Sequence, residues 1–225
     1  MARPKQSARN TRNKKANILL ICDGQTEQNY AKYVLNECLA SPDKPIKIHT
    51  QIFNCIDKVH TYIERDPKTF DAVIFLKDLE NEQLSDKEID NITTLQSEVQ
   101  KICGQKKRRA SDSKAAWAVF FNYPSIEYWY ILHFTERGKT YPNATDVVKH
   151  LKAVFPNFDK PMPTNKKEAE IFCTNLKIAI ANAKKLSITT KLPYANRIRS
   201  HVPLTNPMTE MPNLINMIKK TKPTT

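Results

Sequence analysis

The sequence predicts an α/β fold, a mainly parallel sheet flanked by helices with a C-terminal helical extension. Three observations lead there. Short continuous runs of Ile, Leu, Val and Phe recur along the chain, as expected of strands covered on both faces. Segments with apolar residues at helical spacing lie between them, and β-α-β-α-β alternation predicts a parallel sheet covered by helices. A chain of 225 residues can also bury a sizeable core, as one domain with an appendage or as two small ones.

The first strand is Asn17 to Cys22, followed by Asp23-Gly24-Gln25-Thr26-Glu27. Gly24 is one of only three glycines, which assigns it to the backbone: it lets the chain turn after the strand. Thr26 is placed to cap the next helix and Glu27 falls in its first turn, where the helix dipole favours an anion. Residues 26 to 40 carry Tyr30, Tyr33, Val34 and Leu39 at helical spacing, ending at Ser41-Pro42-Asp43. Ile46 to Phe53 alternates apolar and polar residues and reads as an edge-like strand. A short helix is expected over 56 to 65, a second buried strand over Phe70 to Leu76, a helix over 86 to 103 and a strand over Ala115 to Phe121. Pro124 then opens a helix whose Ile126, Trp129, Tyr130, His133 and Phe134 share one face. Residues 139 to 165 are rich in Lys, Pro and Asn, 166 to 186 look helical, and a short helix is expected within 203 to 219. The domain reading is a basic disordered arm over 1–15, an α/β domain over 16–137 and the helical extension over 138–225.

Charge points to a polyanion. The 36 Lys and Arg against 23 Asp and Glu give +13, and such an excess commonly marks a nucleic-acid partner. The first fifteen residues hold six basic side chains and no acid, and read equally as a solubilising tail or a nucleic-acid arm. Lys106-Lys107-Arg108-Arg109 forms a second block between a predicted helix and strand, so it should be held near the fold. Lys77 and His133 join it as candidate nucleic-acid contacts, although a histidine on an apolar face is more often a satisfied core group. The five cysteines (22, 38, 55, 103 and 173) are odd in number and form no CxxC, which predicts buried free thiols in a reducing compartment. No signal peptide and no bilayer-spanning apolar run are read, so a cytoplasmic protein with no membrane partner is expected.

The candidate chemistry lies at two strand ends. Asp23 follows the first buried strand and Asp78-Leu79-Glu80 follows the second, and acids leaving neighbouring parallel strands can converge on one point. A cation would resolve their repulsion. Hard oxygen donors suit Mg²⁺ or Mn²⁺, and the Cys and His residues show no zinc spacing.

On these positions the chain resembles the RloB-like family, intracellular proteins of prokaryotic defence loci with a TOPRIM core. The family's strand, acid, Gly, Thr-Glu and aromatic motif stands here as Cys22-Asp23-Gly24-Gln25-Thr26-Glu27 with Tyr30. Its acidic pair stands as Asp78-Leu79-Glu80. Its Asn-Pro-x-Phe-Glu-x-Trp string with His-Phe is recognisable in Tyr123 to Trp129 with His133-Phe134, and a weaker Asn-Pro-x-Thr echo appears at Asn206 to Thr209. Two acids depart from the family pattern, Asp23 for the usual Glu and Glu80 for the usual Asp, while the carboxylates are kept. The resemblance implies a TOPRIM-like sheet and a metal set of Asp23, Glu27, Asp78 and Glu80. It also implies catalysis by Asp23, Asp78, Glu80 and Glu127. One or two ions would bridge a scissile phosphate of DNA or RNA. The reading is a metal-dependent nuclease, effector of a prokaryotic defence system. A separate ATPase or sensor protein is its possible partner, since no Walker motif occurs. Two alternatives stay open: a catalytically weakened TOPRIM-like module that binds nucleic acid or a protein, and a nucleotidyl-transfer enzyme.

Overall fold

The computed structural model describes residues 14–41, 43, 45–53, 58, 61–62, 70–79, 86–104, 115–136, 139–186 and 207–223. In chain order these form β1 (Ala16–Cys22), α1 (Gln25–Asn29), a π-helical stretch (Tyr30–Leu35), α2 (Asn36–Leu39), β2 (Ile46–Ile52), β3 (Ala72–Asp78) and α3 (Asp86–Gly104). Then follow β4 (Ala116–Tyr123), α4 (Ile126–Ile131), α5 (Ala144–Val154), α6 (Lys166–Leu186), β5 (Met208–Thr209) and α7 (Met211–Lys220). The five-stranded sheet has the order β2-β1-β3-β4-β5. The first four strands are parallel and β5 pairs antiparallel with the end of β4.

The continuous apolar runs became the two central strands, as two-sided burial requires. Successive side chains of β1 leave opposite faces: Ile18, Leu20 and Cys22 enter one core, Leu19 and Ile21 the other. The second core includes Val99 of α3. The first holds the helices after β1 and β4, together with Leu151 of α5, Phe172 of α6 and Leu214 of α7. The C-terminal residues, expected as a helical extension, therefore share the core of the sheet and add a strand to it. One helix there was not expected: α5 lies in the Lys-, Pro- and Asn-rich stretch. Asn143 caps it by accepting the Asp146 N–H at 3.0 Å, and Val147 and Leu151 supply its buried side.

The helix after β1 is interrupted by the wider π turn, and Asn36 ties its end to the sheet edge. The Asn36 amide accepts from Ile48 N–H at 2.8 Å and donates to Ile48 C=O at 3.0 Å, supplying an edge residue of β2 with both missing partners. Cys38 and Cys173 form a disulfide joining α2 to α6, with Cα atoms 5.6 Å apart. Free thiols were expected at both; two helices that the chain separates by 135 residues bring them together. Cys22 is free and buried, Cys103 free and exposed, and Cys55 lies outside the described residues. Most of the helix expected over 56 to 65 also lies outside them. Among the described residues no helix is long and apolar enough to cross a membrane.

A candidate carboxylate site at the strand ends

Strand order reverses between β1 and β3, and ligands of open α/β sheets bind beyond the carboxyl ends of the strands at such a switch point. Asp23 follows β1 directly, and Asp78 is the last residue of β3. Burial pushes the pKa of the Cys22 thiol up, and the charges of Glu27, Asp23 and Asp78 add to that effect.

Strand alternation divides these groups. Asp78 continues the side of Leu76, toward α1 and α4, whereas Lys77 continues the side of Phe75. Asp78 accepts from Asn122 Nδ2 at 3.1 Å and from the Ile126 backbone N–H at 2.9 Å, and Glu27 neighbours it. Burial raises the pKa of both carboxyls, and the nearby Glu27 and Glu127 raise that of Asp78 further. On the other side, Asp23 Oδ1 meets Lys77 Nζ at 2.5 Å. Both border a cavity of about 220 Å³ between the sheet and α3, lined also by Phe53, Phe75, Thr94 and Leu95.

Glu27 has a structural duty as well. Its Oε2 accepts the Gly24 N–H at 3.0 Å, closing the first turn of α1. Gly24 is extended at φ −146°, so its need is space: a Cβ there would lie 3.1 Å from that oxygen. Thr26, expected as the cap, instead offers its backbone carbonyl to Tyr130 Oη at 3.3 Å.

Glu127 is 1 % exposed, just after the short turn that opens α4. Ser125 Oγ donates to its Oε2 at 2.5 Å, and Lys160 Nζ reaches its Oε1 at 2.5 Å. His133 does not face a partner surface. It is buried, its Nδ1 lies 3.0 Å from Trp129 C=O, and its Nε2 lies 3.2 Å from Tyr30 Oη. Because Trp129 Nε1 already donates to that oxygen at 2.8 Å, the Tyr30 proton is free to go to the imidazole. This network fits a neutral ring, and burial lowers the His133 pKa to about 4. The core reading of His133 therefore replaces its reading as a nucleic-acid contact.

The structure thus sets Glu27, Asp78 and Glu127 on the α1 and α4 side of the strand ends and pairs Asp23 with Lys77 on the α3 side, while Glu80 and Lys106 to Arg109 lie outside the described residues. Sequence reasoning missed Asn122, Ser125 and Lys160. Asn122 could have been found from register, since it pairs directly with Asp78, and Thr209 donates to its Oδ1 at 2.7 Å. The Asn-Pro-x-Thr echo was the only signal for Thr209.

Among the described residues, no group of three or more His, Cys, Asp or Glu side chains is arranged to hold a metal ion. The donor chemistry nevertheless suits a hard cation. Neighbouring carboxylates repel one another when ionised, and a proton or a bound cation relieves that repulsion. A sequence model of the family described as RloB-like protein matches residues 18–218. No curated protein and no solved structure matches the chain.

Proposed function

The chain belongs to the RloB-like family, and on that premise we propose that it is a divalent-metal-dependent nuclease with a TOPRIM-like core, the effector of a prokaryotic defence system. The observation that carries this reading is that Glu27, Asp78 and Glu127 neighbour one another at the β1/β3 switch point, with Asp23 directly after β1. Asp23, Glu27 and Asp78 are the residues that would hold Mg²⁺ or Mn²⁺, with Glu80 retained from the sequence. The ion would supply an activated water and charge stabilisation at the phosphate. Asn122 and the Ile126 N–H fix the Asp78 carboxylate, and Ser125 fixes Glu127, so neither acid must reorganise on substrate arrival. Lys77 stands beside Asp23 to meet phosphate charge. Nucleic acid is the partner that the +13 charge favours, and a separate ATPase or sensor protein is the further partner proposed.

The alternative, a weakened TOPRIM-like module that binds nucleic acid or a protein, has its own observation. Both Asp78 oxygens already accept hydrogen bonds and Asp23 is neutralised by Lys77, an arrangement complete without a cation. Incubating the full chain with labelled DNA and RNA, with Mn²⁺ or Mg²⁺ and with or without EDTA, separates the two. Shortening only with metal supports the nuclease; binding without shortening supports the module.

A further inference from the structure

Lys160 enters the carboxylate site from a segment that otherwise belongs to the C-terminal helices, and its neighbours fix it there. Phe158 and Met162 are buried on either side, Met162 N–H donates to Asp159 C=O at 2.7 Å, and Asn29 Nδ2 donates to Pro161 C=O at 2.5 Å. These attachments hold the turn against α1 whatever the lysine does. The ion pair with Glu127 is lopsided: the Lys160 side chain is 50 % exposed and the Glu127 side chain 1 %. An anion arriving from solvent therefore meets the lysine side chain and not the carboxylate. An ammonium has three donors, so it can keep Glu127 and still give a hydrogen bond to an incoming oxygen.

Resting on the nuclease reading, we infer that Lys160 binds a non-bridging phosphate oxygen of the nucleic-acid substrate, with Glu127 as its holder between substrates. Lys160 then supplies substrate charge neutralisation from the part of the chain that contributes no catalytic acid. A merely structural lysine, present only to neutralise buried Glu127, would have different consequences.

Fluorescence anisotropy with labelled DNA and RNA oligonucleotides, in EDTA so that nothing is cleaved, separates these roles. Lys160→Met is expected to weaken binding about tenfold and to reduce the slope of log Kd on log salt by about 0.7 to 0.9, the loss of one phosphate contact. Lys160→Arg should restore most of both. In a Glu127→Gln background, Lys160→Met should show the same loss. An unchanged slope, or affinity restored by adding Glu127→Gln to Lys160→Met, overturns the inference and makes the lysine a neutralising group. Lys160→Gln replaces Lys160→Met in each comparison if the latter melts early. Wild-type protein that binds oligonucleotides while the Lys160 variants match it overturns this inference alone. Wild-type protein that binds none, either in EDTA or with Ca²⁺ in place of Mg²⁺, overturns the nuclease reading with it.

Discussion

Asn122 Nδ2 donates to Asp78 Oδ1 at 3.1 Å, and the two residues face each other directly across the β3/β4 ladder. Asn122 is fully buried and is itself held by Thr209 of β5. The acid named by the sequence is thus aimed by its neighbouring strand, and that strand by the last one. Asn122→Ala is expected to leave Asp78 and Thr209 each short of a buried partner, costing about 1–3 kcal/mol in denaturant unfolding. If Asp78 holds a metal, the same change should weaken Mn²⁺ affinity by about 10–100-fold, measured by titration.

His133 makes stability depend on pH in a defined window. The folded ring is held neutral with its pKa lowered to about 4 from 6.5, so the unfolded chain takes up a proton first as pH falls. The contribution is fully present above the ordinary value and lost as pH drops, levelling off near the lowered one. Its ceiling is about 3 kcal/mol. His133→Asn should flatten this acid limb in unfolding curves measured between the two values. An unchanged limb would show that other groups produce it.

The Cys38–Cys173 bond closes a loop across 135 residues, and its removal frees the unfolded chain. The double change Cys38→Ser with Cys173→Ser is expected to lose about 2–5 kcal/mol, and thiol reduction of the native chain should lower its melting temperature in parallel. A melting temperature indifferent to reductant would contradict a bond that stabilises the fold.

Neutralising Lys106, Lys107, Arg108 and Arg109 should weaken nucleic-acid binding across sequences and flatten its salt dependence by about 0.9 per lost phosphate contact on duplex DNA. An unchanged slope would mark that block as solvated. Removing residues 1 to 15 should matter less, since the charge of that segment serves solubility as readily as binding.

The sheet was legible because two-sided burial writes itself as unbroken apolar runs, and β1 and β3 were visible in Ile18 to Cys22 and Ala72 to Leu76. The acids after those strands were legible for the same reason: a strand end is easy to locate. What orients them was not. Asn122 and Lys160 act through register and through a turn distant in sequence, and neither leaves a periodic trace. α5 was hidden because its buried side needs only a few apolar positions, here Val147 and Leu151, amid polar text. The disulfide was missed because odd, scattered cysteines carry no pairing information until α2 and α6 are placed side by side. His133 was placed on the correct apolar face, and burial decided between its two readings.

The central claim is that Asp78 belongs to a metal-dependent phosphodiester-cleaving site, and Asp78→Asn tests it most directly. The amide turns a donor toward Asn122 Nδ2 or the Ile126 N–H, so a stability loss of about 1–3 kcal/mol is expected with the fold kept. With folding checked by melting, labelled DNA and RNA are incubated with Mn²⁺ or Mg²⁺, with and without EDTA. The wild-type chain should shorten at least one of them only with metal, and the variant should shorten neither while losing metal affinity. Full cleavage and unchanged metal affinity in Asp78→Asn would contradict the account.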